Sequence, residues 1–305
     1  MDEALPTVCY NHPDRPTRIM CRRCGKPICG ECMVPAAVGF QCPSCVSGGL
    51  KETRQYQARF GGKQSTNARI TSIVIIAINA VVWGIIQIAG PWRNTIIEFL
   101  GLSPVGMCQD STGTMYYPGV GHALCDGVAG AVWIPGVADG AWWQVFTSIF
   151  THVSFLHIAA NCLTLWFLGP PLEAILGRVR FVVTYLVSGI IGSLAVYWLS
   201  GMNTISYGGS GSLFGLMGAL IVIFLKLKVD VRQILMWLGL NIVITFVGGA
   251  SISWQAHLGG LVGGALLACI WALTPRGKTR QQWDWVAVLS VVVIAGFVGR
   301  TMLLL

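Results

Sequence analysis

The fold of this chain is decided by residues 207–225, which read YGGSGSLFGLMGALIVIFL. After a glycine-rich start that contains Ser210, the stretch is apolar and approaches the ~20 residues that cross a ~30 Å hydrocarbon core as a helix. Residues 254–274 repeat this arrangement, with His257 near their start. Polar side chains at membrane depth are costly, so they are functional candidates by default. The two stretches therefore indicate a membrane protein with a polar site inside it.

The composition of the whole chain indicates the same class. Of its 305 residues, 54% are hydrophobic and 10% are charged, whereas soluble domains carry about 25% charged residues. The predicted fold class is an all-α polytopic membrane protein with seven transmembrane helices and a small N-terminal zinc-binding module. The seven apolar segments of spanning length lie at about 70–90, 147–168, 179–200, 207–225, 231–249, 254–274 and 284–304.

The basic residues, which give a net charge of +8, are unevenly distributed along the chain. With seven spans, all but two of the 20 Lys and Arg residues lie on one side, and Arg93 and Arg300 lie near the other. By the positive-inside rule the basic side is cytoplasmic. We therefore expect a multi-pass protein of the cell membrane, with a cytoplasmic N-terminus and an extracytoplasmic C-terminus. No cleaved signal peptide is expected, since the first 60 residues contain no apolar run of that type. The positive-inside distribution explains the net positive charge of the chain. The expected partner is therefore the lipid bilayer, and no nucleic-acid partner is expected.

The first 50 residues contain seven of the eleven cysteines, arranged with one histidine in four pairs of identical spacing. The predicted ligands are Cys9 and His12, Cys21 and Cys24, Cys29 and Cys32, and Cys42 and Cys45. Eight such donors fill two tetrahedral Zn²⁺ sites, and alternating pairs favour a cross-brace in which the first and third pairs share one ion. The pattern resembles B-box and RING-like zinc modules. A disulfide framework is the alternative, but it needs an oxidising compartment, and the charge distribution places this segment in the reducing cytoplasm. A site with four protein ligands has no open coordination position, so these zinc ions are expected to be structural. No cofactor is expected for catalysis.

A long segment at about 91–146, rich in glycine and aromatic residues, separates the first two spans. Loops of this length are usually functional or disordered. Cys108 and Cys125 are the cysteines predicted to lie on the oxidising side. They form a disulfide or remain free thiols; a disulfide closing this stretch would contribute ~3 kcal/mol.

Three predicted spans carry polar residues in their outer halves. The second contains His157 and Asn161, which are four residues apart and so share one helix face. The fourth contains Ser210 and the sixth contains His257. A histidine whose pKa is ordinarily ~6.5 is suited to take the proton of a weakly nucleophilic serine. His157, Asn161 and the free amides at the start of the fourth span are suited to stabilise an oxyanion. Because no carboxylate accompanies them, the sequence predicts a Ser–His dyad.

These residues resemble the rhomboid family of intramembrane serine proteases. The matching motifs are Gly208-x-Ser210-Gly211 with Leu213-Phe214-Gly215-Leu216, Ala256-His257-x2-Gly260-x3-Gly264, His157-x3-Asn161 and Gly169-x3-Glu173. The resemblance implies that Ser210 is the nucleophile, that His257 is the base, and that His157, Asn161 and the Ser210 amide form the oxyanion hole. It also implies that the outer loop, the fifth span and the loop preceding the sixth span shape the lateral entry of a substrate helix. The family usually has Trp-Arg in the outer loop, whereas this chain has Trp143-Gln144.

Four regions are predicted on these grounds: a zinc-binding module at 1–48, a basic juxtamembrane linker at 49–69, a rhomboid-like protease core at 70–275, and a linker with the seventh helix at 276–305. The leading hypothesis is a serine endopeptidase that cleaves transmembrane protein substrates in or near their membrane segments. The zinc module adds a candidate surface for a protein partner. A catalytically silent rhomboid-like adaptor is one alternative. A transporter is another, but transporters show paired inverted halves and broken helices, which this sequence does not.

Overall fold

The structure is a computed structural model that describes residues 7–52, 57–247, 252–275 and 277–305, with the backbone alone at 50–52. The chain separates into two compact units, Met1–Tyr56 and Gln57–Leu305. The finer division at residues 49–69 and 276–305 stays a prediction.

The N-terminal unit contains little regular structure. Strands β1 (Val34–Pro35) and β2 (Phe40–Gln41) pair antiparallel, and helix α1 (Pro43–Glu52) follows. Its buried cluster consists of Ile28 and five cysteines. So small an apolar core contributes little stability, and natural domains of this size commonly add metals or disulfides.

The second unit is built mainly of helices. Its membrane-length helices are α2 (Ile70–Ile88), α6 (Phe155–Leu176), α7 (Arg178–Leu199), α8 (Ser210–Leu227), α10 (Trp254–Leu273) and α11 (Thr279–Leu304). Helix α9 (Arg232–Val247) is apolar but has 16 residues. The segment between α2 and α6 forms short helices α3 (Arg93–Leu100), α4 (His122–Cys125) and α5 (Gln144–Thr147) and strands β3 (Met107–Asp110) and β4 (Ala131–Ile134). In the described residues, an apolar helix overlaps each of the seven predicted spans, and the all-α multi-pass prediction is confirmed.

Helix α6 is displaced from the predicted second span. The sequence places that span at about 147–168, whereas the helix runs from Phe155 to Leu176. It starts late because Ser154 caps it, with the Ser154 hydroxyl accepting the backbone N–H of His157 at 3.3 Å. It continues through two consecutive prolines and ends at Gly177, whose φ of +80° suits glycine. Apolarity alone shows neither where a helix is capped nor whether it continues through proline. Both predicted ends of this span were therefore wrong by about two turns.

The segment between α2 and α6 is ordered. Strands β3 and β4 pair antiparallel, and a disulfide joins Cys108 of β3 to Cys125 of α4. Of the two states that the sequence left open for these cysteines, the structure has the disulfide. Gln144 is fully buried at the start of α5. Its amide accepts the N–H of Ser103 at 3.1 Å and donates to the carbonyls of Glu98 (3.3 Å) and Pro135 (2.9 Å). This glutamine links three parts of the segment at the position where the family usually has arginine.

Helices α8 and α10 pack backbone against backbone. A Cβ on Gly260 would lie 1.9 Å from the carbonyl oxygen of Gly211, and a Cβ on Gly264 would lie 1.8 Å from that of Gly215. No side chain fits at such distances, so glycine at these positions permits the contact. The start of α10 is thereby held against the start of α8, where the candidate site lies.

Candidate functional site

Ser210 and His257 are joined by a hydrogen bond. The Ser210 hydroxyl oxygen lies 2.8 Å from Nε2 of His257. Ser210 is the first residue of α8, and His257 lies in the first turn of α10. Helix α10 begins there because Ser253 caps it, its hydroxyl accepting the backbone N–H of Ala256 at 3.3 Å. Two helix starts and the glycine contact between them therefore bring together the two side chains singled out in the sequence.

The imidazole of His257 is held on two further sides. The ring of Phe214 stacks on it with 4.1 Å between centroids and 9° between planes. Phe214 lies one turn after Ser210 on α8, so the same helix presents the hydroxyl and the stacking ring. The other ring nitrogen, Nδ1, lies 2.8 Å from the hydroxyl oxygen of Thr245 on α9. His257 is buried, with 7% of its surface exposed, and these three contacts leave its ring little freedom to rotate.

The backbone before Ser210 has a tightly packed conformation. Gly208 has a φ of +124°, and a Cβ on it would lie 2.5 Å from Cε1 of His157. Both observations require glycine at this position. The N–H of Gly209 donates to Nε2 of His152 at 3.3 Å, and Nδ1 of His152 lies 3.2 Å from the carbonyl oxygen of Phe150. The imidazoles of His157 and His152 therefore both lie against the turn that leads into Ser210.

Asn161 lies one turn after His157 on α6, and its side chain is buried. Its side-chain Nδ2 donates to the His157 carbonyl oxygen at 3.1 Å. An amide NH₂ group has two hydrogens, so the second remains available as a donor. The first N–H groups of α8, which have no partner within the helix, begin at Ser210. Donors suited to an oxyanion are thus provided by two helices.

Two polar residues of this region were not predicted as site members. His152 lies within the second predicted span, but its position in the sequence assigns it no role. Thr245 stands in the apolar run Ile244-Thr245-Phe246. A threonine in a transmembrane helix ordinarily bonds the carbonyl four residues back, so its contact with a histidine from another helix could not be read from spacing.

A cavity of about 620 Å³ lies beside the site, and both Tyr207 and Thr245 line it. Its other walls come from the end of α7, from Thr204–Ser206 in the loop before α8, and from Ile252–Gln255 at the start of α10. The cavity is large enough for several amino-acid side chains and reaches the residue that contacts His257.

The eight predicted metal ligands form two groups of four in the N-terminal unit. Within each group the donor atoms lie within 4.8 Å of one another; the groups are Cys9, His12, Cys29 and Cys32, and Cys21, Cys24, Cys42 and Cys45. The first pair thus joins the third and the second joins the fourth, which is the pairing that a cross-brace requires.

The donor distances suit a small tetrahedral cation. Bonds of ~2.3 Å to sulfur and ~2.0 Å to nitrogen imply donor separations of roughly 3.5–3.8 Å at tetrahedral angles. Nδ1 of His12 lies 3.9 Å from the sulfur of Cys9 and 3.3 Å from those of Cys29 and Cys32. The sulfurs of Cys24 and Cys42 are 3.7 Å apart. Both groups therefore fit a metal ion.

The acidities of these thiols also favour a cation. Burial raises the pKa of the Cys9 thiol, but backbone N–H groups of Asn11 and Cys29 outweigh it and lower the pKa to about 6. In the same group, burial and the Cys9 and Cys29 side chains raise the pKa of Cys32 to about 11. Thiolates are the metal-binding form, and four donors so close together cannot all lose their protons unless a cation lies between them.

Two family models match the chain. One, described as a rhomboid domain, matches residues 139–274. The other, described as a B-box zinc finger, matches residues 6–36, which include the first three donor pairs. The two matches lie in different compact units.

Curated relatives are similar to the helical unit. Rhomboid protease GluP of Bacillus subtilis (strain 168) is 33% identical over 168 residues, which cover 53% of this chain and 32% of GluP. Rhomboid protease AarA of Providencia stuartii is 29% identical over 183 residues, 51% of this chain and 63% of AarA. A candidate rhomboid protease of B. subtilis, YdcA, is 35% identical over 138 residues. That alignment covers 44% of this chain and 69% of YdcA. On this evidence, the chain belongs to the rhomboid family.

Proposed function

We propose that this chain is an intramembrane serine endopeptidase in which Ser210 is the nucleophile and His257 is the general base. The observation that carries the proposal is the 2.8 Å contact between the Ser210 hydroxyl and Nε2 of His257. Further support comes from the relatives GluP and AarA, which are named as rhomboid proteases. A catalytically silent adaptor would need neither this hydrogen bond nor the stacking of Phe214 on the imidazole.

The reaction follows from the positions of these groups. Nε2 of His257 takes the hydroxyl proton as Oγ of Ser210 bonds to the carbonyl carbon of the scissile peptide. The resulting oxyanion would accept hydrogen bonds from the Ser210 amide, Asn161 and His157. As the tetrahedral intermediate collapses, the C–N bond breaks and the amine leaves with the proton from His257. Nε2 of His257 then takes a proton from water as the water oxygen attacks the acyl carbon. When this second intermediate collapses, the ester C–O bond breaks, and His257 returns the proton to Oγ of Ser210 as the acid product leaves.

The substrates of the proposed enzyme are transmembrane proteins. Ser210 and His257 lie at the starts of membrane-length helices, so a peptide bond must reach membrane depth or its edge to meet them. The cavity lined by Tyr207 and Thr245 would receive the chain that flanks the scissile bond. The charge distribution supports a site that opens outward in the cell membrane, with the N-terminus in the cytoplasm and the C-terminus outside.

We also propose that two structural zinc ions hold the N-terminal unit, one in each group of four donors. The tetrahedral spacing and the cysteine-rich core support this. The four regions named from the sequence are proposed as functional divisions, with the zinc module as a surface for a protein partner. No step of the proposed hydrolysis passes through zinc.

The decisive test uses a fluorophosphonate serine-hydrolase probe and a transmembrane substrate in liposomes. The native protein should label and cleave, and Ser210→Ala and His257→Ala should do neither. Since the two residues act as a unit, the double variant should be little worse than either single one. Ser212→Ala is a matched control because Ser212 is a buried serine two residues further along α8. Labelling of Ser210→Ala would refute the assignment, and a native protein that neither labels nor cleaves would favour the adaptor.

A further inference from the structure

A continuous set of hydrogen bonds runs from Ser210 through His257 to helix α9. Nε2 of His257 meets the Ser210 hydroxyl at 2.8 Å, and Nδ1 meets the Thr245 hydroxyl, also at 2.8 Å. The Thr245 hydroxyl in turn lies 2.6 Å from the backbone carbonyl oxygen of Asn241. Both ring nitrogens of the proposed base therefore have a partner.

The chemistry of these groups sets the direction of every bond. A carbonyl oxygen only accepts, so the single hydroxyl hydrogen of Thr245 is donated to Asn241. The Thr245 oxygen is then left as an acceptor for Nδ1–H of His257. A neutral imidazole has one N–H, so Nε2 carries the lone pair and accepts the Ser210 hydroxyl. This is the tautomer that a general base needs.

Helix α9 has few other attachments near the site. Of its 16 residues, all of which the structure describes, Ile234 and Thr245 are the buried ones. Ile234 lies at the start of the helix, three turns before Thr245, and the helix packs mainly along α8. The neighbours of Thr245, Ile244 and Phe246, are 50% and 69% exposed. Thr245, which contacts His257, is therefore the one buried residue in the second half of α9.

We propose that Thr245 is a positioning residue that holds His257 in the Nδ1–H tautomer with Nε2 toward Ser210, and that it makes base alignment depend on the position of α9. The inference rests on the proposed function of Ser210 and His257 and adds a third residue to it. When α9 lies against the core, the base is aligned. If α9 moves away, Nδ1 loses its acceptor and the imidazole can change tautomer or rotate. Since the cavity beside the site is lined by Thr245, a substrate segment entering there would act directly on this hydrogen bond.

The first test compares Thr245→Val with Thr245→Ser. Valine keeps the branched shape but cannot accept a hydrogen bond, so kcat should fall about tenfold, which is about 1.4 kcal/mol in the barrier, while KM changes less than about twofold. The rate of fluorophosphonate labelling should fall by a similar factor, because the small probe reports activation of Ser210 without a substrate helix. Serine keeps the acceptor and should restore most of both rates.

A matched control is Thr274→Val at the end of α10. Thr274 makes the same type of bond as Thr245, donating to the carbonyl four residues back at 2.6 Å, but it is 17 residues from His257. It should leave kcat and labelling near the native values. Native kcat and labelling in Thr245→Val would overturn the proposal. So would equal losses in Thr245→Ser and Thr245→Val, since the hydroxyl would then be irrelevant.

A spectroscopic test separates this inference from the proposed function. Nitrogen NMR of histidine-labelled protein in detergent, with His257 assigned through His257→Ala, should show Nδ1 protonated in the native chain and a mixture of tautomers in Thr245→Val. If Ser210→Ala were as active as the native chain, the proposed function would fail, but the tautomer shift would still report on the hydrogen bond. An unchanged His257 spectrum in Thr245→Val would refute the role of Thr245 alone.

Discussion

Asn161 is the side chain at which oxyanion stabilisation can be tested apart from the nucleophile and the base. It is buried on α6 and bonds the His157 carbonyl with one of its two amide hydrogens. Its remaining hydrogen would bond more strongly as negative charge develops, so its loss should affect the transition state more than substrate binding.

We predict that Asn161→Ala lowers kcat by up to ~10²–10³ with a much smaller change in KM. Donation from His157 would reduce the loss. Asn161→Asp, which has the same size but lacks the NH₂ donor, should be comparably impaired. Initial rates on a transmembrane substrate in liposomes provide the measurement. A change confined to KM in both variants would identify Asn161 as a substrate-positioning residue instead.

Individual residues differ in how far they could be foreseen. Ser210 and His257 are visible because polar groups are rare at membrane depth and the helix order puts them on the same side. Thr245 is not visible, because threonine is common in apolar helices and its partner comes from a different helix. Gln144 could be recognised as a departure from the usual arginine, but its three backbone hydrogen bonds depend on loop segments that are distant in the sequence.

At the scale of elements, the contact of α8 with α10 determines where the candidate dyad forms. The carbonyl of Gly211, next to Ser210, lies where any side chain at position 260 would have to go. His257 is three residues before Gly260, one turn away on the same helix face. A displacement of α10 at this contact therefore changes the distance between His257 and Ser210 directly.

We predict that Gly260→Ala destabilises the protein by at least ~1–3 kcal/mol through overpacking and lowers activity by about 10²-fold, since an error of ~1 Å in a catalytic group has that effect. Gly299→Ala in α11 is the control, because no atom lies within 4 Å of a Cβ at that position. Thermal unfolding and cleavage assays in the same detergent give both quantities. A Gly260→Ala protein with native activity would show that the contact does not position His257.

Hydropathy is enough to locate the apolar helices but not to determine their first and last residues. The apolar runs lie within about a turn of α2, α7, α8 and α10, because the cost of exposed backbone in lipid makes such runs helical. Helix α6 departs by about two turns, since the Ser154 cap and the glycine that ends it, not apolarity, set its limits. The ordered outer segment, with its paired strands, has no hydrophobic period strong enough to be read in advance.

At the scale of the whole molecule, the two compact units have different sources of stability. The helical unit buries large side chains such as Trp271, Tyr185 and Phe181. The N-terminal unit has a buried cluster of cysteines and one isoleucine. Metal binding could supply roughly 10–16 kcal/mol per structural site, which would outweigh what so small an apolar core provides.

We predict about two zinc ions per chain, falling to about one in Cys24→Ser, measured by elemental analysis of the purified protein. Cys24 is the exposed ligand of its group, so the substitution removes a donor with little effect on packing. The free thiol Cys162, which lies in α6 of the other unit, provides the control, and Cys162→Ser should keep the full zinc content.

The same separation of units predicts that hydrolysis does not need the zinc module. A chain beginning at Lys51 keeps all of Gln57–Leu305 and therefore keeps Ser210, His257 and the helices that position them. It should cleave a model transmembrane substrate in detergent at a rate within a few fold of the full chain. Loss of cleavage in cells with full activity in detergent would assign the module to substrate recruitment or regulation. Inactivation of the full chain by chelation in detergent, with its helical content and thermal unfolding unchanged, would instead show that the metal sites act on catalysis.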